Sequence, residues 1–175
     1  TLVLNVGGIG EFSGDNVNTL LANLDGAVNN NGLQGGSTLA FDTANAAGGV
    51  VVTGSIANST GTGGGVIGLS KNGDNTLTLS GANSYSGGTT VAAGTLIAGS
   101  STALGSGAIT VASGAKLGSN SILSVGDITL SDGAELVLGS AESRITSSGP
   151  VILAGPTLIT LGGAISNGSY TLLSG

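Results

Sequence analysis

The sequence predicts an all-β protein wound as a right-handed parallel β-helix, a β-solenoid with about three short strands in each turn of roughly twenty residues. Three observations predict it. Segments such as Thr76-Leu77-Thr78-Leu79-Ser80 and Ala108-Ile109-Thr110-Val111 place an apolar residue at every second position, the period of a strand with one buried face. Gly, Asn and Ser separate these segments, and they are the residues that turn a chain at little steric cost. Finally, apolar anchors recur about twenty residues apart in three interleaved ladders. One runs through Leu77, Leu96, Leu117, Leu136 and Leu158, a second through Val91, Val111, Leu130, Leu153 and Leu172, and a third through Leu104, Leu123, Ile145 and Ile165.

Each predicted strand is about three to five residues, too short to stand alone. Stacked at about 4.8 Å, each gains backbone partners above and below, and inward Leu, Ile and Val pile into columns. Outward Ser and Thr alternate with them. The chain holds only Phe12, Phe41, Tyr85 and Tyr170 as aromatics, which suits a narrow aliphatic interior.

The whole chain, 1–175, reads as one solenoid segment. Residues 66–175 bear the repeats, and residues 1–65 are less regular. Thr1-Leu2-Val3-Leu4-Asn5-Val6 is a strand from the first residue, so the chain reads as a processed or excised piece. Val17, Leu20, Leu21 and Leu24 fall at helical spacing within 15–24, with Ser13 or Asp15 as the cap. That short helix is expected to lie against the solenoid and cover part of its apolar wall. Residues 38–41, 49–53 and 66–69 read as strands, 58–65 as a mobile loop, and Asn31-Gly32, Asn72-Gly73 and Asn167-Gly168 as turns. Gly7-Gly8-Ile9-Gly10-Glu11-Phe12 reads as a strand-to-strand corner rather than a phosphate cradle, because no helix opens directly from it at the right spacing and no Lys-Ser/Thr follows it.

Composition excludes several classes of function. Charged residues make up 7% of the chain and its net charge is −6, with Lys71, Lys116 and Arg144 as the only cations; nucleic acid and anionic membranes are therefore not expected partners. No apolar run approaches the length of a membrane helix, so this segment is not expected to insert. The near absence of Glu, Lys, Arg and Gln argues against a helical bundle. Positive mean hydropathy and paired apolar alternation argue against disorder. With no His or Cys, a Ser-His-Asp or Cys-His arrangement, a disulfide and a His or thiolate metal site are all unavailable; no cofactor is expected.

Residues 69–96, Leu69-Ser70-Lys71-Asn72-Gly73-Asp74-Asn75-Thr76-Leu77-Thr78-Leu79-Ser80-Gly81-Ala82-Asn83-Ser84-Tyr85-Ser86-Gly87-Gly88-Thr89-Thr90-Val91-Ala92-Ala93-Gly94-Thr95-Leu96, resemble the autotransporter-associated β-strand repeat, the passenger-associated transport repeat of bacterial type V secreted proteins. The family pattern is a Lys-x-Gly turn, Thr-Leu-Thr-Leu-Ser-Gly, an Asn-x-Tyr-x-Gly-Gly-Thr corner and Gly-Thr-Leu. Carried onto this chain, the structural positions of the repeat are Lys71, Gly73, Leu77, Leu79, Gly81, Asn83, Tyr85, Gly87, Gly88, Thr89, Val91, Gly94 and Leu96. The resemblance implies an exported β-helical passenger at the bacterial surface or outside the cell, and it does not imply an enzyme. No membrane β-barrel translocator accompanies the repeat in this sequence.

Other candidate chemistry is thin. Asp127, Asp132 and Glu135 lie close in sequence, as the acids of a polysaccharide-cleaving β-helix would, or as an adventitious calcium site. The solvated-surface reading is preferred for them. Lys71 reads as a solvated lysine in a polar turn, against an intramolecular crosslink to Asn72 or Asn75. Tyr85 reads as a ring covering the corner of the coil, against a sugar-stacking platform. Asn58-Ser59-Thr60 and Asn167-Gly168-Ser169 match the glycosylation triplet without further support. The expected role is a non-enzymatic stalk or scaffold, with end-to-end filaments as a variant and an adhesin as the alternative. The expected partners are further copies or repeats of the same chain, and surface glycans.

Overall fold

In the computed structural model the chain coils around one axis as a parallel β-solenoid. The structure describes residues 1–25, 32–60, 62–139, 143–161 and 173–174. The first wall stacks β1 (Leu2–Asn5), β2 (Thr38–Asp42), β4 (Gly68–Asn72), β6 (Thr89–Val91), β8 (Ile109–Val111), β11 (Ile128–Leu130) and β14 (Val151–Leu153). The second stacks β3 (Val50–Val52), β5 (Thr76–Leu79), β7 (Thr95–Ala98), β9 (Lys116–Ser119), β12 (Glu135–Leu138) and β15 (Leu158–Leu161). A third wall stacks β10 (Ile122–Val125), β13 (Arg144–Ser147) and β16 (Leu173–Ser174). Every pairing between these strands is parallel.

The register explains the period. Leu69, Thr89, Ile109 and Ile128 are partners in succession, at steps of 20, 20 and 19 residues. Alternation then sets the facing. In β5 Leu77 and Leu79 are buried while Thr76 and Thr78 are half-exposed, as a pleated strand over an apolar interior requires. The first-wall column runs Leu4, Phe41, Lys71, Val91, Val111, Leu130 and Leu153. On the second wall Val50, Leu77, Leu96, Leu117, Leu136 and Ile159 align. Ile159, not Leu158, therefore continues the first ladder. Leu158 pairs with the outward Glu135 and is 62% exposed, because the step from Leu136 to its partner Ile159 is 23 residues where the steps before it are 19, 21 and 19.

The second ladder holds from Val91 to Leu153; Leu172 lies outside the described residues. On the third wall Leu123 pairs with Ile145, whereas Leu104 is buried on a loop. Ile165 lies outside the described residues, and Ile145 pairs with Leu173. Before β10 the third wall is irregular backbone that still bonds from coil to coil. Ser84 N donates to Ile56 O at 2.9 Å, Ser106 N to Tyr85 O at 3.2 Å and Ser124 N to Ser101 O at 3.3 Å.

The helix α1 spans Gly14–Asp25. Ser13 is its cap: Oγ accepts from Asn16 N at 3.2 Å, and Asn16 Oδ1 accepts from Ser13 N at 2.9 Å, a reciprocal capping box. Val17 and Leu21 are buried, Leu20 and Leu24 half-buried. Asn18 fixes the helix to the end of β3, which among the described residues has β5 as its one strand partner. Its Oδ1 accepts from Thr53 N at 3.0 Å and Gly54 N at 2.8 Å, and its Nδ2 donates to Thr53 Oγ1 at 2.9 Å. The helix thus closes one wall of the N-terminal end, in place of the missing strand.

Two sequence expectations shift. The strand expected at 66–69 runs from Gly68 to Asn72 because its partner β2 offers five residues, Thr38 to Asp42; Val66 is left exposed. Residues 7–12 do form a corner, closed by a parallel bridge between Val6 and Phe12 and by Glu11 Oε2 accepting from Gly8 N at 2.9 Å. The corner runs from β1 into α1 at Gly14, however, and not from strand to strand as the sequence suggests, because Ser13 caps a helix there. Residues 58–65 close on a bridge between Ser59 and Gly65.

Candidate functional site

Four side chains with polar atoms in residues 69–98, those of Lys71, Asn83, Tyr85 and Thr89, are buried inside the coil. Lys71 has an inward position in β4, between Phe41 and Val91 in register, and is fully buried. Its Nζ donates to Asn72 O at 3.0 Å, Gly73 O at 2.7 Å and Ala93 O at 3.0 Å. Three ammonium hydrogens thus meet three carbonyl oxygens. Burial pushes the pKa down to about 8, with Asp42 and Asp74 opposing. The sequence reading placed Lys71 in a polar turn with its ammonium in water. The structure corrects this: β4 extends through Asn72, and even-odd alternation turns Lys71 inward. The corner itself begins at Gly73, at φ 75°, where a Cβ would come within 2.4 Å of Ala44 N.

Asn83 stands on the third wall, where these coils have no strand. It is 5% exposed. Oδ1 accepts from Ile56 N at 2.7 Å, and Nδ2 donates to Ala103 O. One side-chain amide therefore replaces a backbone rung between the preceding coil and the next.

Tyr85 follows two residues later with its ring buried within the coil. Its hydroxyl lies 2.6 Å from Thr89 Oγ1, and Thr89 Oγ1 also reaches Leu104 O at 3.4 Å. Burial raises the phenol pKa, with the Thr89 hydrogen bond opposing. Such a ring fills the bend of a narrow aliphatic interior and finds a partner for its one polar atom; it presents no exposed face to a sugar.

The remaining positions of the repeat serve the same purpose. Leu77, Leu79, Val91 and Leu96 are core. Gly81 and Gly87 let neighbouring backbones touch: a Cβ would meet Gly54 O at 2.3 Å in the first case and Ile67 O at 2.6 Å in the second. Gly88 and Gly94 turn the chain at φ 84° and 63°.

Sequence reasoning missed further members of the network. Asn58 Oδ1 accepts from both Ile67 N and Ser86 N at 3.0 Å, and its Nδ2 donates to Ser86 Oγ at 2.8 Å. Asn75 Nδ2 donates to Thr43 O and Ala44 O at 2.9 Å. The buried Thr43 hydroxyl donates towards Asn72 O and Asn75 O. The only sequence signal was asparagine at corners, where the residue is common for its backbone freedom alone.

The acids are dispersed. Glu135 is held by Lys116 Nζ at 2.6 Å and by Thr160 Oγ1, which keep its carboxyl below the usual range. Asp127 precedes β11 and Asp132 follows it. Among the described residues no group of three or more His, Cys, Asp or Glu is placed to hold a metal ion. The outer face of the first wall carries Ser70, Thr90, Thr110 and Thr129 in one uninterrupted register.

This arrangement defines a class of protein: a parallel β-solenoid whose singular polar groups are spent on holding one coil to its neighbours. A family model described as Passenger-associated-transport-repeat matches residues 69–98, so this stretch is similar to a passenger-associated transport repeat. No curated protein and no solved structure matches the chain.

Proposed function

We propose that the chain is a non-enzymatic structural module of an exported bacterial protein, a β-solenoid stalk or scaffold at the outer surface or beyond it. The observation that carries this reading is the fate of Lys71, Asn83, Tyr85 and Thr89. In an enzyme or receptor the unusual polar residues face a cleft; here their polar atoms are taken up by the coil's own carbonyls, amides and hydroxyls. The match to a passenger repeat supports the outer-surface location. Protease treatment of intact producing cells tests that location: loss of the protein while cytoplasmic markers survive is expected, and complete protection on intact cells together with digestion after lysis overturns it.

Filament formation is the self-associating form of this reading. Edge strands with unpaired backbone groups favour stacking of copies, but α1 occupies the β3 edge, which works against head-to-tail continuation of both walls. Electron microscopy of the purified chain at rising concentration tests it, and a monodisperse monomer throughout removes it.

The adhesin reading draws on the row Ser70, Thr90, Thr110 and Thr129, a regular hydroxyl-bearing strip. Surface glycans would meet it weakly and need many copies to be retained. A multivalent display of the chain on a glycan array tests this, and binding unchanged by Thr90→Val and Thr110→Val together overturns it.

A further inference from the structure

We propose that Asn83 is a register pin that couples the two faces of its coil, so that the preceding and the following coils are held in place together. Solenoid coils ordinarily interact only with their nearest neighbours, and each interface forms independently. Register between them is set by side-chain facing, and a slip of two residues preserves facing. The columns of this solenoid are nearly uniform: Leu77, Leu96 and Leu117 align on one wall, Val91 and Val111 on another. Aliphatic matching therefore discriminates poorly between registers. Asn83 supplies what the columns lack. Its acceptor meets Ile56 N, 27 residues earlier, and its donor meets Ala103 O, 20 residues later.

One side-chain amide serves both neighbours through an acceptor and a donor, so a displaced neighbour that offers a carbonyl to Oδ1 or an N–H to Nδ2 gains nothing. The pin is also buried, so an unmade bond is not replaced by water and costs its full desolvation penalty. The amide is satisfied only when both neighbours are in register, which links the two interfaces. The location fits: strands hold the third wall only from β10 onward, and Asn83 stands before that point. This inference concerns the coupling of coils, and its test reads neither location nor secretion.

The experiment is amide hydrogen exchange on the full chain. In Asn83→Ala both bonds go, and exchange at Ile56 and across residues 99–106 is expected to accelerate together by about tenfold or more. In Asn83→Asp, read at a pH where the carboxyl is ionised, the acceptor towards Ile56 N remains and the donor towards Ala103 O is lost. Protection at Ile56 is then expected to persist while residues 99–106 accelerate. Acceleration on one side only in Asn83→Ala, or identical patterns in the two variants, overturns the proposal. If Asn83→Ala does not fold, Asn83→Asp decides alone: the one-sided pattern supports the pin, and a uniform change along the chain or none at all overturns it.

Discussion

The Lys71 ammonium donates to the Ala93 carbonyl oxygen across 3.0 Å, from one coil to the next. A cation inside an otherwise apolar column is costly unless its hydrogens are matched. Here they are matched by the corner of its own coil and by the corner that follows. Replacing Lys71 by Met keeps the apolar stem and takes the ammonium away from Gly73 O and Ala93 O, while Asn72 O still accepts from Thr43 N and Thr43 Oγ1. A loss of about 1–3 kcal/mol is expected, measured as a lower denaturant midpoint with an unchanged slope.

Lys71 and Tyr85, both buried, make opposite contributions with pH. Lys71 has a folded pKa lowered from 10.5 to about 8. Between those values the unfolded chain binds more protons, so stability rises with pH across that window. Tyr85 is shifted upward from 10.0. Above 10.0 the unfolded chain gives up its phenol proton while the folded one keeps it, so stability falls. Denaturation at a series of pH values is expected to show a maximum near the crossover. Lys71→Met is expected to abolish the rise and Tyr85→Phe the alkaline fall.

Close approach, rather than turn geometry, makes Gly87 irreplaceable. An added methyl would lie 2.6 Å from Ile67 O and Ile67 C, both main-chain atoms that cannot swing aside. Gly87→Ala is expected to destabilise the chain by about 1–3 kcal/mol. Gly48 has nothing within 4 Å of the same methyl position, and Gly48→Ala is expected to be neutral or to stabilise by up to about 1 kcal/mol. Thermal melts of the pair check the contrast.

The cap of α1 and its tie to β3 are separate and can be removed one at a time. Ser13→Ala removes the cap and is expected to cost about 1 kcal/mol of helix stability. Asn18→Ala removes the tie to Thr53 and Gly54 and is expected to release the helix from β3. Limited proteolysis within residues 14–25 is expected to accelerate more in Asn18→Ala than in Ser13→Ala, with the repeat-bearing coils still resistant.

Much of this fold is set locally and so can be read from the chain. Thr76-Leu77-Thr78-Leu79 alternates because one face is buried, and glycines recur because corners bend there. A common step of about twenty residues is enough to predict stacking. Ser13 and the spacing of Val17 and Leu21 likewise announce α1. Such features depend on side-chain period and backbone sterics, which neighbouring residues fix by themselves.

The tertiary structure decided the rest, because it depends on what a neighbouring coil offers. Whether Lys71 faces water or the core turns on where β4 ends, and β2 sets that limit. Whether Leu158 or Ile159 continues a column turns on one residue in a corner. In the sequence Asn58, Asn75 and Asn83 look like any turn asparagine, and Asn18 like any polar residue of a helix. Each becomes a replacement rung only when amides or carbonyls from distant residues arrive at its side chain. Periodicity along the chain specifies that it winds; hydrogen-bond groups left over at irregular corners determine which side chains must hold the windings in place.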